Sequence, residues 1–389
     1  MTNSVDKIKN IFTKFKGLTT FGLATIISNI IFGLFWLYLA RLLGTVHYGE
    51  ISYFIAISGI GIIISFFGAG NTLLVYTAKD VKIQAPTYFI SLVASTIIAI
   101  ILFFIFNNIS VSLYVIGNVI FGLVTAELLG RKAYKKYSIY LITEKILAAG
   151  LAIFLYHIIG PNGIILGIAL SFFPYSITIY RGFQGSRIDF SLIKSRLGFI
   201  INSYIMDITR TFSTTADKLI IAPMLGFALL GNYQLGAQFI SLLGIIPGIA
   251  FNYMLPHDAS GNPNKKLKKI TMIIASILAL LGVTLSPSIL PILFPKFVEA
   301  VEMFQIVSLS IIPATINLTY ISKFLGNEKS RIVLIGSIIY IAVQISTIII
   351  LGKIWSLNGV AMSLVIAPAS ETIYLISVDH ITQKKLTKN

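Results

Sequence analysis

The sequence predicts an all-α integral membrane protein of about twelve transmembrane helices, in two six-helix bundles around a central cavity, with both termini cytoplasmic. Three observations predict it. Hydrophobic residues make up 56% of the 389-residue chain and charged residues only 11%, with a mean hydropathy of +0.89. Soluble chains run near a quarter charged and under half apolar. The apolar residues fall in continuous runs of about 20, enough for a helix to cross roughly 30 Å of hydrocarbon. A barrel would instead show alternating segments of about ten. Finally, Lys and Arg occupy every second loop.

The spans follow in order. Span one, 18–40, succeeds a basic segment carrying Lys7, Lys9, Lys14 and Lys16; its apolar run is too long for a cleavable signal. Span two is 48–70. Spans three and four, 86–106 and 109–130, part at Asn107-Asn108. Spans five and six, 139–159 and 163–180, part at Gly160-Pro161-Asn162-Gly163, a run of turn formers. Spans seven and eight are 198–225 and 229–253. The longest linker, 254–269, then carries His257-Asp258-Ala259-Ser260-Gly261-Asn262-Pro263. Spans nine to twelve are 270–294, 298–321, 332–351 and 357–378. No linker is long enough to hold a soluble domain.

Orientation follows from the basic residues, which gather on the cytoplasmic side. With the N-terminus inside, only Arg41, Lys296 and Lys353 of the 30 Lys and Arg fall outside, while Lys145, Arg210 and Lys218 lie within spans. The net charge of +16 is therefore topological. Anionic membrane lipids are its expected partner, and nucleic acid is not.

The chain also repeats. Ala40-Arg41-Leu42-Leu43-Gly44 with Tyr48-Gly49 is echoed 182 residues later by Ala222-Pro223-Met224-Leu225-Gly226 with Leu230-Gly231. Asn162-Gly163 is echoed 196 residues later by Asn358-Gly359, the difference matching the long linker. Two bundles result, 1–196 and 197–389. Six spans each means both enter the membrane from one side, as in parallel-repeat transporters.

Several chemistries are excluded. The chain has no cysteine, hence no disulfide, thiol catalysis or Cys-ligated zinc. It has no G-x-x-x-x-G-K-[ST], G-x-S-x-G or H-E-x-x-H motif. His47, His157, His257 and His380 are scattered. Neither an enzyme, a resident metal nor a cofactor is expected.

The informative residues are ionisable groups inside spans, each costing about 2.5–3.5 kcal/mol at a helix centre unless it faces a bundle interior or water. Span seven stands out. Ser203, Asp207, Arg210, Thr214 and Asp217 step by four and three, so they share one helical face, with Lys218 at its flank. Asp207 and Arg210 at i,i+3 can neutralise each other, as can Asp217 and Arg210. That stripe is either a register device or the polar wall of a hydrated cavity. In the second case Arg210 suits an anionic phosphate or pyrophosphate headgroup, because guanidinium is planar and always charged.

Lesser candidates are spread over other spans. Adjacent helical residues diverge, so Glu144 and Lys145 are not expected to pair. Lys145 reaches an interior cavity or snorkels to the inner headgroups. Glu127 is expected to neutralise the basic loop 131–136. Glu371 lies in span twelve without an evident partner. Arg41 ends span one at the outer face. Asn29, with Ser28 and Thr25, makes a polar patch in span one; Gln234 and Gln238 make another in span eight. Pro174, Pro247, Pro287, Pro291, Pro313 and Pro368 mark kinks.

Two segments resemble a known family. Ala40-Arg41-Leu42-Leu43-Gly44 with Tyr48-Gly49-Glu50 is similar to the first inter-helix segment of polysaccharide flippases. These are the O-antigen and teichoic-acid exporters of the multidrug/oligosaccharidyl-lipid/polysaccharide (MOP) transporter superfamily. Ala216-Asp217-Lys218-Leu219-Ile220-Ile221, then Leu225-Gly226 and Gly231-Asn232-Tyr233, resembles the second-half equivalent, and Asn358-Gly359-Val360-Ala361 the entry to the last core helix. The resemblance spans roughly 20–375. It implies alternating access that turns a lipid-linked saccharide, held by its phosphate or pyrophosphate headgroup, across the cell membrane. It implies Arg41, Asp217 and Lys218 as motif positions. Because no nucleotide motif exists, energy is expected from a gradient of a coupling ion, Na+ or H+, or from substrate supply on one side. The chain departs from the family in being short and in having sparse cavity charge. A multidrug or small-cation exporter of the same superfamily, and a membrane assembly protein without transport, are the alternatives.

Overall fold

A helix that must satisfy its own backbone in lipid is interrupted only where local chemistry forces it, and the interruptions organise this chain. The structure, a computed structural model, describes the backbone of residues 16–185 and 187–386; the side chains of 16–19, 210, 213, 385 and 386 also lie outside the described residues. Among the described residues every regular element is helical. The α-helices are α1 Lys16–Leu43, α2 Thr45–Phe66, α3 Ala69–Ala78, α4 Gln84–Phe106, α5 Ile109–Gly130, α6 Tyr134–Ile159, α7 Asn162–Phe172 and α8 Ser176–Gly185. There follow α9 Ser191–Lys194, α10 Leu197–Leu225, α11 Phe227–Leu243, α12 Ile245–Ala259, α13 Lys265–Leu293, α14 Val301–Ser308, α15 Ile311–Gly326 and α16 Ser330–Leu386.

Among the described residues nine helices are long and apolar enough to cross a membrane, or ten when the bent pair α11–α12 is one span. Helix α16 breaks at Trp355 and Ser356, where φ is −121° and 51°, so it covers the last two predicted spans. Adding α10, whose apolar part is Leu197–Thr209, accounts for all twelve predicted positions. The chain is a multi-pass membrane protein. Its lipid-facing character is plain on α4, where Phe89, Val93, Ile97, Ile100 and Phe104 are all exposed.

The breaks differ from the continuous runs expected. Span two stops at Phe66, not 70, because Phe67 and Gly68 turn left-handed (φ 44° and 72°) before α3 begins. A Cβ at Gly68 would also sit 2.6 Å from the Ile200 carbonyl oxygen. Span eight bends by 44° between α11 and α12. Span ten divides between α14 and α15, and span six passes through a 3-10 turn at Phe173–Tyr175. Pro174, Pro247 and Pro313 stand at or within four residues after these breaks. Each lacks an N–H and crowds the carbonyl four residues back, so the ladder gives way there. Pro287 and Pro291 lie inside α13, and Pro368 lies inside α16 beyond its break.

The chain packs as two compact units. The first comprises the residues up to Phe35 and Phe54–Thr215; the second comprises Trp36–Tyr53 and everything from Ala216. In the first unit, α6 and α7 touch backbone to backbone: a Cβ on Gly163 would strike the Leu155 carbonyl, and one on Gly167 would strike Ala152. In the second, Gly359 meets Leu351 in the same way. Gly163 and Leu155 each lie 196 residues before Gly359 and Leu351, so the repeat is a repeat of contacts as well as of letters. The second unit is cored by Ile221, Leu230, Tyr233, Met303, Val307, Ile348 and Val360. It also holds a reciprocal crossing of α2 and α11. A Cβ on Gly49 would strike the Phe227 carbonyl, and one on Gly231 the Thr45 carbonyl. Both partners are again related by 182 residues, and only glycine permits so close an approach.

Candidate functional site: buried ion pairs and acids within each unit

Charge inside an apolar helix persists only with a partner, so the partners define the candidate sites. In the second unit Asp217 is 8% exposed. The Tyr233 hydroxyl donates to its Oδ2 at 2.6 Å. The Lys218 backbone N–H donates to Oδ1 at 2.8 Å and the Lys218 ammonium lies 3.3 Å from the same oxygen. Gln344 also interacts with Tyr233 through its side chain. The carboxylate is thus taken up by its sequence neighbour and by α11. The Arg210 side chain, predicted as its alternative partner, lies outside the described residues.

The rest of the predicted stripe lies in the first unit and is unevenly placed. Ser203 is buried, Asp207 half-buried and Thr214 exposed, its hydroxyl bonding the Thr211 carbonyl at 3.1 Å. On the opposite face Ile205, Ile208 and Phe212 are exposed, as an apolar lipid-facing surface requires.

Glu371 has partners that the sequence did not reveal. Asn317 Nδ2 donates to its Oε2 at 2.9 Å and to the Pro368 carbonyl at 3.0 Å. Thr372 Oγ1 donates to Asn317 Oδ1 at 2.6 Å, locking the amide's orientation. Gly336 leaves room beside the acid, since a Cβ there would lie 3.3 Å from Glu371 Oε1. Among the described residues no Lys or Arg pairs with Glu371.

In the first unit Glu144 is fully buried. Contrary to expectation it does pair with Lys145, whose Nζ lies 2.9 Å from Oε2. The Cβ vectors diverge, but a lysine stem is long enough to curl back. The same ammonium sits 4.2 Å from the Phe32 ring centroid, a cation–π contact. The ion contact lacks hydrogen-bond alignment, and neither Glu144 oxygen accepts an aligned bond. Tyr114, Tyr175 and Ser171 surround it.

The repeat relates these two acids. Glu144 and Tyr340 are 196 residues apart, and so are Tyr175 and Glu371. Tyr175 neighbours Glu144 in the first unit, and Tyr340 neighbours Glu371 in the second. Acid and tyrosine have exchanged positions between the halves, while an acid beside a tyrosine persists in both.

Of the remaining candidates, Glu127 does neutralise its basic loop: Arg131 NH2 lies 2.7 Å from Oε1, and the Tyr88 hydroxyl donates to Oε2. Arg41 is exposed in the last turn of α1. Asn29 is exposed, Ser28 is buried, and Thr25 bonds its own helix at the Phe21 carbonyl. Gln234 and Gln238 are half-buried, and the Gln234 Oε1 is enclosed without a hydrogen-bond partner. Tyr233, Asn317 and Tyr340 were missed. Of these only Tyr233 carried a signal, its place in Gly231-Asn232-Tyr233.

The chain is thus a multi-pass helical membrane protein of two compact units with acids buried in its spans. No protein-family profile matches the chain, and no curated protein matches it in sequence. Solved structures do share its fold. A lipid II flippase MurJ in an inward closed conformation superposes with a TM-score of 0.77 at 16% identity, over 92% of this chain and 87% of that one. An inward-facing multidrug resistance MATE family transporter of the MOP superfamily gives 0.70 at 16% identity, over 93% and 95%. A MATE transporter in complex with MaL6 gives 0.60 at 16% identity, over 96% and 97%. The chain therefore has the fold of MOP-superfamily transporters.

Proposed function

We propose that this protein is a transporter that turns a lipid-linked saccharide precursor across the cell membrane by alternating access of its bundles, 1–196 and 197–389, with both termini cytoplasmic. One observation carries the choice of substrate: each unit keeps a lysine inside a span, Lys145 beside Glu144 and Lys218 beside Asp217. Each lysine is neutralised by its own carboxylate while the pair is intact, so a phosphate or pyrophosphate headgroup binds by displacing that carboxylate as the lysine's counter-ion, which a cationic drug cannot do. The likeness to a lipid II flippase supports the same reading. Asp207, Arg210, Thr214, Asp217, Lys218, Lys145, Arg41, Asn29, Gln234 and Gln238 are its candidate headgroup contacts. Glu371, with no Lys or Arg partner among the described residues, is the candidate group for a coupling Na+ or H+.

That same acid favours the second reading, a cation-coupled multidrug exporter, because a lone buried carboxylate also suits a cationic substrate. Proteoliposomes separate the two. The purified chain should accelerate transfer of a fluorescent lipid-linked, pyrophosphate-bearing saccharide between leaflets and leave a cationic dye such as ethidium untransported. Dye export with no saccharide transfer would establish the exporter instead. Orientation is testable in parallel, since the chain has no cysteine. Single cysteines at Lys135 and Lys266 should label only from inside, and one at Asn108 only from outside.

A further inference from the structure

The first unit contains a cavity that the proposed transport path does not use. It encloses about 860 Å³ where α3, α5 and α8 end and α4 and α6 begin, so it sits at the membrane–water boundary. Its floor is polar and satisfied. Gln84 and Thr77 are buried and bonded to each other at 3.3 Å, and buried Glu127 is held by Tyr88 and Arg131. Its rim is cationic: Lys82, Arg131, Lys132, Lys136 and Arg181 face only Asp80 and Glu127. Lys82, Lys132 and Arg181 form no ion pair among the described residues. Two of the lining residues, Asp80 and Lys132, hold left-handed backbone (φ 57° and 56°), which is costly for residues other than glycine.

Two ordinary causes bring cations to such a place, the excess of positive charge on cytoplasmic loops and the negative ends of helices. Both act equally on the second unit. There the corresponding pocket, of about 440 Å³, is lined by Lys265, Lys268 and Lys323 against Asp258 and Asp379. Two of its three cations are consumed internally: Lys268 lies 2.7 Å from Asp258, and Lys323 lies 2.6 Å from Asp379. The first unit has about twice the volume and leaves Lys82, Lys132 and Arg181 without an ion pair among the described residues.

We infer that the cavity of the first unit binds a phosphate-bearing anion, a site separate from the proposed transport contacts and independent of that reading. Its position at the bilayer edge allows two sources of this chemistry, the headgroup of an anionic lipid or a soluble phosphate compound. A phosphate offers several charged oxygens that lysine and arginine can share.

Full-length protein in nanodiscs of phosphatidylcholine with phosphatidylglycerol tests this, read by native mass spectrometry of retained lipid and by thermal shift with added inorganic pyrophosphate. The wild type should retain phosphatidylglycerol selectively or be stabilised by pyrophosphate; the first result names a lipid, the second a soluble phosphate. The exposed pair Lys132→Gln with Arg181→Gln should weaken that binding roughly 25-fold, at about fivefold for each cation removed near a membrane surface. The pair Lys329→Gln with Arg331→Gln, which removes equal charge outside both pockets, should leave it unchanged. Equal losses in the two pairs, or no selective binding of either probe, would overturn the assignment. All four positions are exposed, so folding should survive, and unchanged melting without ligand checks it.

Discussion

Glu144 in the first unit and Glu371 in the second are both buried among apolar helices, yet they are neutralised in different ways. Glu144 has a lysine 2.9 Å away and no aligned hydrogen bond. Glu371 has an aligned amide at 2.9 Å and no lysine among the described residues. An acid with a built-in cation is electrically complete. An acid with only neutral donors needs a proton or a mobile cation to be stable in hydrocarbon. The comparison teaches that the chain supplies Glu144 with its own cation, whereas Glu371 has only neutral donors among the described residues.

Removing the fixed cation should have the largest effect. Lys145→Met leaves Glu144 buried and unpaired, at a cost of about 3 kcal/mol or more. Thermal unfolding in detergent should show a large drop, and Glu144→Gln combined with Lys145→Met should restore most of it. If the single variant melts like the wild type, the pair is not internal.

Next comes the glycine crossing that shapes the second unit. Gly231→Ala drives a methyl into the Thr45 carbonyl, an overpacking cost of about 1–3 kcal/mol. Ala at Gly150, which meets nothing within 4 Å, is the control, and the two melting curves should separate clearly. A smaller loss, about 1–2 kcal/mol, is expected for Asn317→Ala, which strips donors from Glu371 and the Pro368 carbonyl. Glu371→Gln should change stability least, within about 0.5 kcal/mol, because no cation loses its partner. It should nevertheless remove any dependence of transport on Na+ or pH, measured in proteoliposomes with imposed gradients. Retained dependence would move the coupling group elsewhere.

Much of this architecture was legible in the sequence, for a physical reason. Lipid forces continuous apolar runs, and such runs can be counted without knowing any contact. The repeat was visible at Gly44, Gly49, Gly226 and Gly231 because close backbone approach at Gly49 and Gly231 and a positive φ at Gly44 and Gly226 each favour glycine. What stayed hidden depends on single torsions or on distant partners. The turn at Phe67-Gly68 and the break at Trp355-Ser356 change two φ values inside otherwise apolar stretches. Glu371 meets Asn317 across 54 residues of sequence. The Glu144–Lys145 pair was misjudged by reasoning from Cβ direction alone, which ignores the reach of lysine. The acid–tyrosine exchange between halves cannot be seen as identity, only as contact.

The central claim, that buried lysine–carboxylate pairs receive an anionic headgroup, is tested most directly by flipping of a pyrophosphate-linked saccharide lipid in proteoliposomes. The comparison is between wild type and the charge-neutral double variant Asp217→Asn with Lys218→Met. The account predicts at least a tenfold slower transfer at equal reconstituted amount and unchanged melting. Transfer at the wild-type rate would contradict it.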